Sequence, residues 1–270
     1  MTYWNDKTAI VTGASGGLGF HISEALVRSG ANVVLAARSA GPLEAAVAKL
    51  QTLCSARNSV VGIPADVLRD EDVANLVQRT IDRFGRLDAL VNNAGLSMRK
   101  AILETTVDDF RAMLELNLFA VVRTTRAAAP HLLAAQGHLV NIGSLSGKSA
   151  SRWLGAYPAS KFAVTAYTQQ LRLELEPEGL NVLLVCPGPI ARDDDRVRSP
   201  DELASLPPEA RKPGGGVKTK RIPPGELAAK ILAACEGRRR ELIVPWKARI
   251  VFTLMQTSPT LADWLVRKLT

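Results

Sequence analysis

The chain has 270 residues, and its hydrophobic content of 47% allows a substantial core that fits one α/β domain over residues 1–270 better than two small ones. Its net charge of +8 lies wholly in residues 196–270, which hold 15 basic and 7 acidic side chains, but an aromatic content of 5% without any nucleic-acid-binding motif excludes a stacking platform for nucleic acid. No run approaches eighteen consecutive apolar residues, and the start leads into a strand without a cleavable leader pattern, so we expect neither a membrane span nor an export signal.

Short apolar, β-branched runs alternate with helical patterns along the chain. Parallel strands need long crossovers, and helices that cover both faces leave the strands almost continuously apolar. The sequence therefore predicts a three-layer, doubly wound parallel sheet, a Rossmann fold, with about seven strands and helices on both faces. The predicted strands are 8–12, 32–36, 60–63, 89–91, 139–142, 182–185 and 241–244, and the predicted helices are 17–29, 42–55, 71–84, 107–135, 155–176 and 225–236.

Glycines stand just past four of these helices. Glycine adopts the left-handed conformation without steric penalty and is therefore a common helix stop. The four glycines are Gly30, Gly85, Gly137 and Gly179.

Two segments break the α/β alternation. Residues 189–223 are rich in charge, proline and glycine, which predicts a disordered loop or a lid over the substrate. In residues 246–270, Ser258 and Pro259 are interpreted as the cap and first residue of an amphipathic helix. The apolar face of this helix, with Leu261, Trp264, Leu265 and Leu269, would pack within the protein or dimer, or would lie on a membrane surface with Trp246, Phe252 and Trp264 as anchors.

The first chemical motif is TGASGGLG at residues 12–19, between a predicted strand and a predicted helix. Glycines let the backbone turn sharply and approach a pyrophosphate, and the helix amino terminus offers unpaired N–H groups. This turn predicts a dinucleotide site. The residues that we expect to contact the dinucleotide here are Gly13, Ser15, Gly17, Leu18 and Gly19.

The end of the second strand discriminates between the two nicotinamide dinucleotides. It reads Ala36-Ala37-Arg38-Ser39, without the carboxylate that would bind both adenosine ribose hydroxyls and repel a 2′-phosphate. A guanidinium binds phosphate through two parallel hydrogen bonds. We therefore expect NADP(H) in preference to NAD(H), with Arg38 and Ser39 at the phosphate.

Tyr157 and Lys161 are four residues apart on a predicted helix, so their side chains share one face. A free phenol titrates near pH 10, and a nearby ammonium favours its ionised form, which brings proton exchange closer to neutral pH. Ser144 follows the apolar run 138–142, thirteen residues before Tyr157. The three side chains together indicate proton transfer at an oxygen atom.

Taken in order, these motifs resemble the short-chain dehydrogenase/reductase family, in its single-domain group, over about residues 6–190. The resemblance implies that Asp66 and Val67 bind the adenine, and that Asn93, Ala94 and Gly95 support the cofactor and the central strand. It also implies that Pro187, Gly188 and Ile190 hold the nicotinamide, and that Tyr157 and Lys161 contact the cofactor. The motifs that carry the resemblance are the glycine-rich turn, Asp66, Asn92-Asn93-Ala94-Gly95, Asn117, Ser144, Tyr157 with Lys161, and Pro187-Gly188.

The same resemblance implies a catalytic set of Asn117, Ser144, Tyr157 and Lys161. Tyr157 would protonate the substrate oxygen as hydride arrives at carbon, and Ser144 would stabilise charge on that oxygen. Lys161 would promote the phenolate and bind the nicotinamide ribose. Asn117 would hold a water that links Lys161 to solvent.

This set predicts an NADPH-dependent carbonyl reductase, reversible as an alcohol dehydrogenase, with a moderately large, apolar small-molecule substrate. A 3-oxoacyl-carrier-protein reductase is the alternative enzyme, since an acidic carrier would suit the basic region. A catalytically silent nucleotide-binding interaction protein is the alternative of another class. Apolar pocket walls are expected from Met98, Leu145, Trp153 and Leu154.

Two departures from the family pattern affect these expectations. Arg192 stands where many relatives have a threonine that contacts the carboxamide, and the tail lacks the glycine-rich end of many tetramers. We expect a homo-oligomer, dimer or tetramer, with the dimer formed through the helices that hold Asn117 and Tyr157. We expect the protein in the cytoplasm, with peripheral contact at the inner membrane surface as the alternative for its tail.

Neither the cysteines nor the histidines form a metal pattern. Cys54, Cys186 and Cys235 are far apart and odd in number, which favours free thiols in a reducing compartment over a disulfide framework. His21, His131 and His138 have no carboxylate or cysteine partner at ligand spacing, so we expect no metal site.

Overall fold

The computed structural model describes residues 2–56, 58–191, 206 and 220–269. The strands in this part of the chain are β1 (Thr8–Thr12), β2 (Asn32–Ala37), β3 (Val60–Pro64), β4 (Ala89–Asn92), β5 (His138–Ile142), β6 (Asn181–Pro187) and β7 (Glu241–Val244). They form a parallel, seven-stranded sheet in the order β3-β2-β1-β4-β5-β6-β7. The order reverses between β1 and β4, which opens a crevice at the carboxyl ends of the strands. The predicted doubly wound sheet is confirmed.

Helices cover both faces of this sheet, because alternate residues of each strand face opposite sides and both sets are apolar. The helices are α1 (Gly17–Arg28), α2 (Ala40–Gln51), α3 (Asp70–Phe84), α4 (Val107–Leu114), α5 (Ala120–Ala134), α6 (Tyr157–Leu175), α7 (Pro224–Glu236), α8 (Lys247–Met255) and α9 (Pro259–Leu269). Ala9 and Val11 of β1 pack on one side against α1, α2 and α7, whereas Ile10 packs on the other side with α3 and α5.

The predicted helix 107–135 is interrupted in its middle. Residues Glu115–Phe119 form one wider turn of π-helix between α4 and α5. Such turns commonly mark functional positions, because the extra residue displaces side chains from the regular helical path. The turn contains Asn117, whose side chain is buried.

Three of the four predicted glycine stops have the left-handed conformation, with φ values of 88° at Gly30, 72° at Gly85 and 96° at Gly179. The expectation for Gly137 was wrong. Gln136 takes the left-handed conformation there, with φ of 47°. Gly137 is required for a different reason, since any Cβ at that position would collide with the main-chain carbonyl of Asp88.

Only the two ends of the predicted lid 189–223, together with a buried Leu206, lie within the described residues. Its two ends meet in a short parallel bridge. The Ala191 N–H donates to the Ile222 carbonyl over 2.8 Å, and the Ile222 N–H donates to the Pro189 carbonyl over 2.8 Å. Arg192, at which we expected a change in the carboxamide contact, lies outside the described residues.

The tail forms two helices. As predicted, Ser258 caps α9, with its Oγ accepting the Leu261 N–H over 3.4 Å, and Pro259 begins the helix. Of its predicted apolar face, Leu261 and Leu265 are partly buried, and Trp264 is 51% exposed. No helix in the described ranges is long and apolar enough to cross a membrane.

Candidate active site

The glycine-rich turn joins β1 to α1 at the crevice. Gly13 and Gly17 have positive φ values of 63° and 53°, which only glycine adopts without strain. At Gly19 a Cβ would stand 2.5 Å from the Gly13 carbonyl oxygen and 2.6 Å from Asn93 Nδ2, so α1 packs too closely for any side chain. Gly16 faces open space, with no atom within 4 Å of the position of a Cβ.

This turn fits a dinucleotide pyrophosphate. The open side at Gly16 leaves room for a ligand, and the first N–H groups of α1 have no partner in the preceding turn of a helix. Ser15 is partly buried at the turn, whereas the Leu18 side chain is buried in the core. Leu18 can therefore offer a ligand only its main chain.

The turn is fixed to the end of β4 by a set of hydrogen bonds around Thr12. Thr12 Oγ1 accepts the N–H groups of Asn93 and Ala94 over 3.0 and 3.1 Å. Asn93 Nδ2 donates in turn to the Thr12 carbonyl over 2.9 Å and to the Gly13 carbonyl over 3.2 Å. The predicted role of Asn93 and Ala94 in supporting the central strands therefore has a direct geometric basis.

Arg38 and Ser39 are exposed at the carboxyl end of β2. Arg38 forms no ion pair with any residue that the structure describes, and Ser39 precedes α2 without capping it through its side chain. Their polar groups are thus available to an anion. Asp66 follows β3 and accepts the Leu68 N–H over 3.1 Å, which orders the turn, and Val67 is buried beside it.

Lys161 is the most constrained cation of the crevice. Its side chain is 7% exposed, and its Nζ donates to the Ile142 carbonyl at the end of β5 over 2.8 Å. Burial lowers the pKa of Lys161 to about 8. The neighbouring Cys186 thiol has a pKa that burial raises to about 12, so it is uncharged at neutral pH and does not pair with the ammonium.

Tyr157 is the first residue of α6, one turn before Lys161, and its N–H donates to the Leu154 carbonyl over 3.1 Å. Lys161 Nζ lies 6.0 Å from the centroid of the Tyr157 ring. The predicted pair thus shares one face of the helix. At this range a positive charge favours the phenolate form of a tyrosine.

Ser144 lies just past β5 with an extended backbone, φ of −168°. Its Oγ accepts the Ser146 N–H over 3.0 Å, which fixes the rotamer and leaves the hydroxyl hydrogen to donate. The main-chain N–H of Ser146 therefore holds the Ser144 side chain in place. The hydroxyl stands at the same edge of the sheet as the Ile142 carbonyl that binds Lys161.

Asn117 links three parts of the site from the π-helical turn. Its Oδ1 accepts the Leu96 N–H over 2.9 Å, and its Nδ2 donates to the Leu96 carbonyl over 3.0 Å. The same amide donates to Ser160 Oγ over 2.9 Å. A Cβ on Gly95 would come within 2.9 Å of Asn117 Oδ1 and 3.7 Å of Lys161 Nζ, so Gly95 allows this close approach.

On the other side of the crevice, Pro187 ends β6 and Gly188 follows it. The Gly188 N–H donates to the Val244 carbonyl of β7 over 2.7 Å, and Ile190 pairs with Ile222. Of the expected pocket walls, Met98 lies close to Gly155, where an added Cβ would be 2.6 Å from its Sδ. The Lys100 N–H donates to the Trp153 carbonyl over 3.1 Å, which joins the segment after β4 to the segment after β5. Leu154 is buried, and Leu145 packs partly buried against β6.

Sequence reasoning assigned no bond to three side chains that build this site, Thr12, Asn92 and Ser160. Thr12 and Asn92 belong to motifs named above, and Ser160 directly precedes Lys161, so the sequence showed their positions but not their partners. Ser160 Oγ donates to the Tyr157 carbonyl over 2.7 Å and so joins the first turn of α6 to Asn117. Asn92 Nδ2 donates to Asn141 Oδ1 over 2.9 Å, which couples β4 to β5 below the crevice.

The arrangement provides an acid, a fixed hydroxyl donor and a buried cation around one end of the sheet, next to a turn that fits a pyrophosphate. These groups suit proton transfer to an oxygen atom beside a bound nicotinamide. The described residues contain no group of three or more histidine, cysteine or acidic side chains that could hold a metal ion. Cys54, Cys186 and Cys235 are free thiols.

Comparison with known proteins agrees with this chemistry. The family described as short chain dehydrogenase matches residues 7–202. An uncharacterized oxidoreductase of Staphylococcus saprophyticus is 38% identical over 202 residues, covering 72% of this chain and 85% of the relative. The ketoacyl reductase HetN of a Nostoc species is 30% identical over 274 residues, covering 99% of this chain and 90% of the relative. A short chain dehydrogenase/reductase from Burkholderia phymatum, solved in complex with NAD, is similar with a TM-score of 0.83 and 26% identity, covering 97% of this chain and 96% of that one.

Proposed function

The chain belongs to the short-chain dehydrogenase family of NAD(P)-dependent oxidoreductases, and we propose that it is an NADPH-dependent carbonyl reductase, reversible as an alcohol dehydrogenase. The observation that carries the proposal is the buried Lys161 ammonium on the same helical face as Tyr157, 6.0 Å from the ring centroid. Keeping a charged amine at this buried position is unfavourable in itself. Next to the Tyr157 phenol, however, this charge favours the phenolate form that proton transfer needs.

In the reductive direction, Tyr157 donates its hydroxyl proton to the carbonyl oxygen of the substrate, and Ser144 donates a hydrogen bond to the same oxygen. When bound, NADPH supplies the hydride that adds to the carbonyl carbon. The phenolate that remains on Tyr157 is stabilised by Lys161 until it regains a proton. In the oxidative direction the phenolate is the base that removes the alcohol proton.

Asn117 supports the return of that proton. Its side-chain groups bind Leu96 and Ser160, so we propose that its main chain, in the wider π-helical turn, carries the water that connects Lys161 to solvent. Lys161 gives a proton to the Tyr157 phenolate and regains one from solvent through this water. The side chain of Asn117 meanwhile keeps the first turn of α6 in place.

We propose a preference for NADP(H) over NAD(H), based on the exposed Arg38 without a described ion-pair partner and on Ser39 beside it. The Burkholderia relative was solved with NAD, so the two cofactors need direct comparison. Arg38→Asp should reverse the ratio of kcat/KM for NADPH and NADH, since one bidentate phosphate contact is lost and a like charge is added. Arg79→Asp, at an exposed position on α3, is the matched control. Unchanged selectivity in Arg38→Asp would remove Arg38 from the site.

The substrate that we propose is a moderately large, apolar ketone, aldehyde or secondary alcohol. In support, Leu145 directly follows Ser144, and Trp153 and Leu154 shortly precede Tyr157. Met98 lies close to Gly155 on the same segment. The alternative is a 3-oxoacyl-carrier-protein substrate, favoured by the similarity to HetN over almost the whole chain. NADPH consumption across ketones graded in size and polarity, with an acetoacetyl carrier protein beside them, separates the two. A preference for the carrier-linked ketone would favour the alternative, and no consumption of NADPH with any carbonyl would favour a silent binding protein.

We propose that the protein works in the cytoplasm as a homodimer formed through α5 and α6. Phe119 before α5 and Phe162 on α6 are each 44% exposed, which leaves two large aromatic side chains on the faces that the resemblance assigns to the dimer. Free cysteines suit a reducing compartment. Light scattering of the wild type and of Phe162→Ser tests the dimer, which should weaken in the variant.

A further inference from the structure

Helix α8 carries apolar side chains on two opposite faces. Its inner side chains, Ala248, Val251, Phe252 and Met255, are partly buried. On the outer side, Trp246 directly before the helix, Ile250 and Leu254 are 67%, 54% and 48% exposed. Steps of four residues place these three on one stripe along the helix, which we call the outer stripe.

Cations flank the outer stripe on both sides. At 100° per residue, Lys247 lies beyond one margin of the stripe and Arg249 beyond the other. Both are exposed, and neither forms an ion pair with any residue in the described ranges. Helix α8 contains no acidic residue.

Two other cations of the basic region 196–270, Arg238 and Arg240, have structural partners. Arg238 donates to the carbonyls of Gln136 and Gly179, and Arg240 pairs with Glu176 over 3.0 Å. These contacts lie at the amino ends of the strands. Lys247 and Arg249, beside the outer stripe, form no such contact with the residues that the structure describes, so their charge is available to a partner.

The outer stripe begins at the catalytic end of the sheet. The Val244 carbonyl, two residues before Trp246, accepts the Gly188 N–H, so α8 starts beside the segment assigned to the nicotinamide. Leu96 and Ile102, 59% and 63% exposed, follow β4 at the same end of the sheet. Exposed apolar side chains of this size, bordered by polar groups, are typical of interaction surfaces.

We propose that the outer stripe of α8 lies on the surface of an anionic phospholipid membrane. An exposed tryptophan and two aliphatic side chains flanked by cations match the requirements of an interfacial helix, which inserts apolar groups among acyl chains and places cations at anionic headgroups. A second copy of the chain fits less well. Two such stripes packed together would bring four unpaired cations into one interface without any acidic group from α8.

The apolar part of the proposal is tested by flotation of the full chain with vesicles of phosphatidylcholine, with and without phosphatidylglycerol. Wild type should bind the anionic vesicles. Leu254→Ser should lower the partition coefficient about tenfold, since an aliphatic side chain no longer leaves water. Leu173→Ser is the matched control and should bind like wild type. Leu173 is 70% exposed and lies in the last turn of α6, away from α8.

The charged part is tested by Lys247→Glu with Arg249→Glu, against Lys49→Glu with Arg79→Glu, which changes net charge equally at exposed sites on α2 and α3. Each cation removed from the membrane side should weaken binding about fivefold, and the control pair much less. Tryptophan emission should shift to the blue with anionic vesicles in wild type and much less in Trp246→Phe.

Equal vesicle binding by wild type and by Leu254→Ser would overturn the proposal, as would equal weakening by both charge-reversed pairs. Absence of wild-type binding would overturn it too. Loss of an oligomer in Leu254→Ser, without vesicle binding by wild type, would instead assign the outer stripe to contact between copies. Carbonyl reductase activity is measured in parallel and does not enter these outcomes.

Discussion

Lys161→Met should abolish turnover and yet make the folded chain more stable at neutral pH. Lowering the pKa of a buried lysine from 10.5 to about 8 corresponds to about 3 kcal/mol of unfavourable free energy for the charged form. Methionine fills a similar volume without charge. It leaves the Ile142 carbonyl without its donor, now 2.8 Å away, at a cost of about 1 kcal/mol. The expected net gain in the free energy of unfolding is therefore about 2 kcal/mol.

The sign of this effect depends on pH. Because the folded pKa of Lys161 is the lower one, the unfolded chain binds more protons between about pH 8 and pH 10.5. The free energy of unfolding of wild type should therefore rise relative to that of Lys161→Met across this window. Above it the neutral amine still donates to Ile142, and wild type should become the more stable protein. The turnover of wild type, in contrast to its stability, should fall above about pH 8, because the Lys161 ammonium is lost there.

Urea unfolding of the cofactor-free wild type and Lys161→Met, at pH values on both sides of this window, measures the difference directly. Lys230→Met is the control, because Lys230 is partly exposed and pairs with Glu226 on the surface of α7. Its effect should stay below about 0.5 kcal/mol at every pH. A Lys161→Met protein that is less stable than wild type at neutral pH, with a difference independent of pH, would refute the reasoning.

Two further predictions concern the cofactor turn and the amino edge of the sheet. Gly19→Ala should weaken NADPH binding at least tenfold in a fluorescence titration, because the new Cβ meets the Gly13 carbonyl and Asn93. Gly225→Ala is the control and should bind NADPH normally, because the nearest atom to its new Cβ is His21 Nδ1 at 3.9 Å. Equal affinities of the two variants would disprove the close packing. His138 contacts Tyr3 and Asn181 over 2.6 and 2.9 Å, and burial is the chief cause that lowers its pKa. The free energy of unfolding of wild type should therefore fall as the pH falls below 6.5. His138→Gln should lack this pH dependence, and the control His131→Gln should keep it. Parallel acid dependence in all three proteins, measured by urea unfolding, would contradict the assignment.

The fold could be predicted from the sequence because strand and helix signals agree with one another. Apolar, β-branched runs such as Thr8–Thr12 and Glu241–Val244 are too short for helices and lie next to helical segments, so they can be interpreted only as strands. Their ends coincide with those of the observed strands. Helix interiors were less predictable. Apolar spacing continues through Glu115–Phe119 without interruption, so the π-helical turn depends on tertiary contacts of Asn117 that no local pattern contains.

The site was predictable in its residue types but not in its connections. The four-residue spacing of Tyr157 and Lys161 placed both on one helical face, as observed. The bonds of Ser160 to Tyr157 and Asn117, and of Thr12 to Asn93, join segments far apart in sequence, and hydroxyl groups have many local partners. At the tail, the periodicity predicted the amphipathic helix α9 but left open what its apolar face contacts. The helix packs against α8, with Leu261 and Leu265 partly buried and Trp264 exposed.

Turnover and cofactor binding of Tyr157→Phe, measured on the same preparation, test the central claim most directly. With a carbonyl that wild type reduces, kcat should fall by about a thousandfold or more, since the general acid is lost, while the Kd for NADPH stays within about threefold of wild type. Tyr167→Phe, ten residues further along α6, should retain activity. Turnover by Tyr157→Phe close to that of wild type, with NADPH bound normally, would contradict the assignment of proton transfer to this phenol.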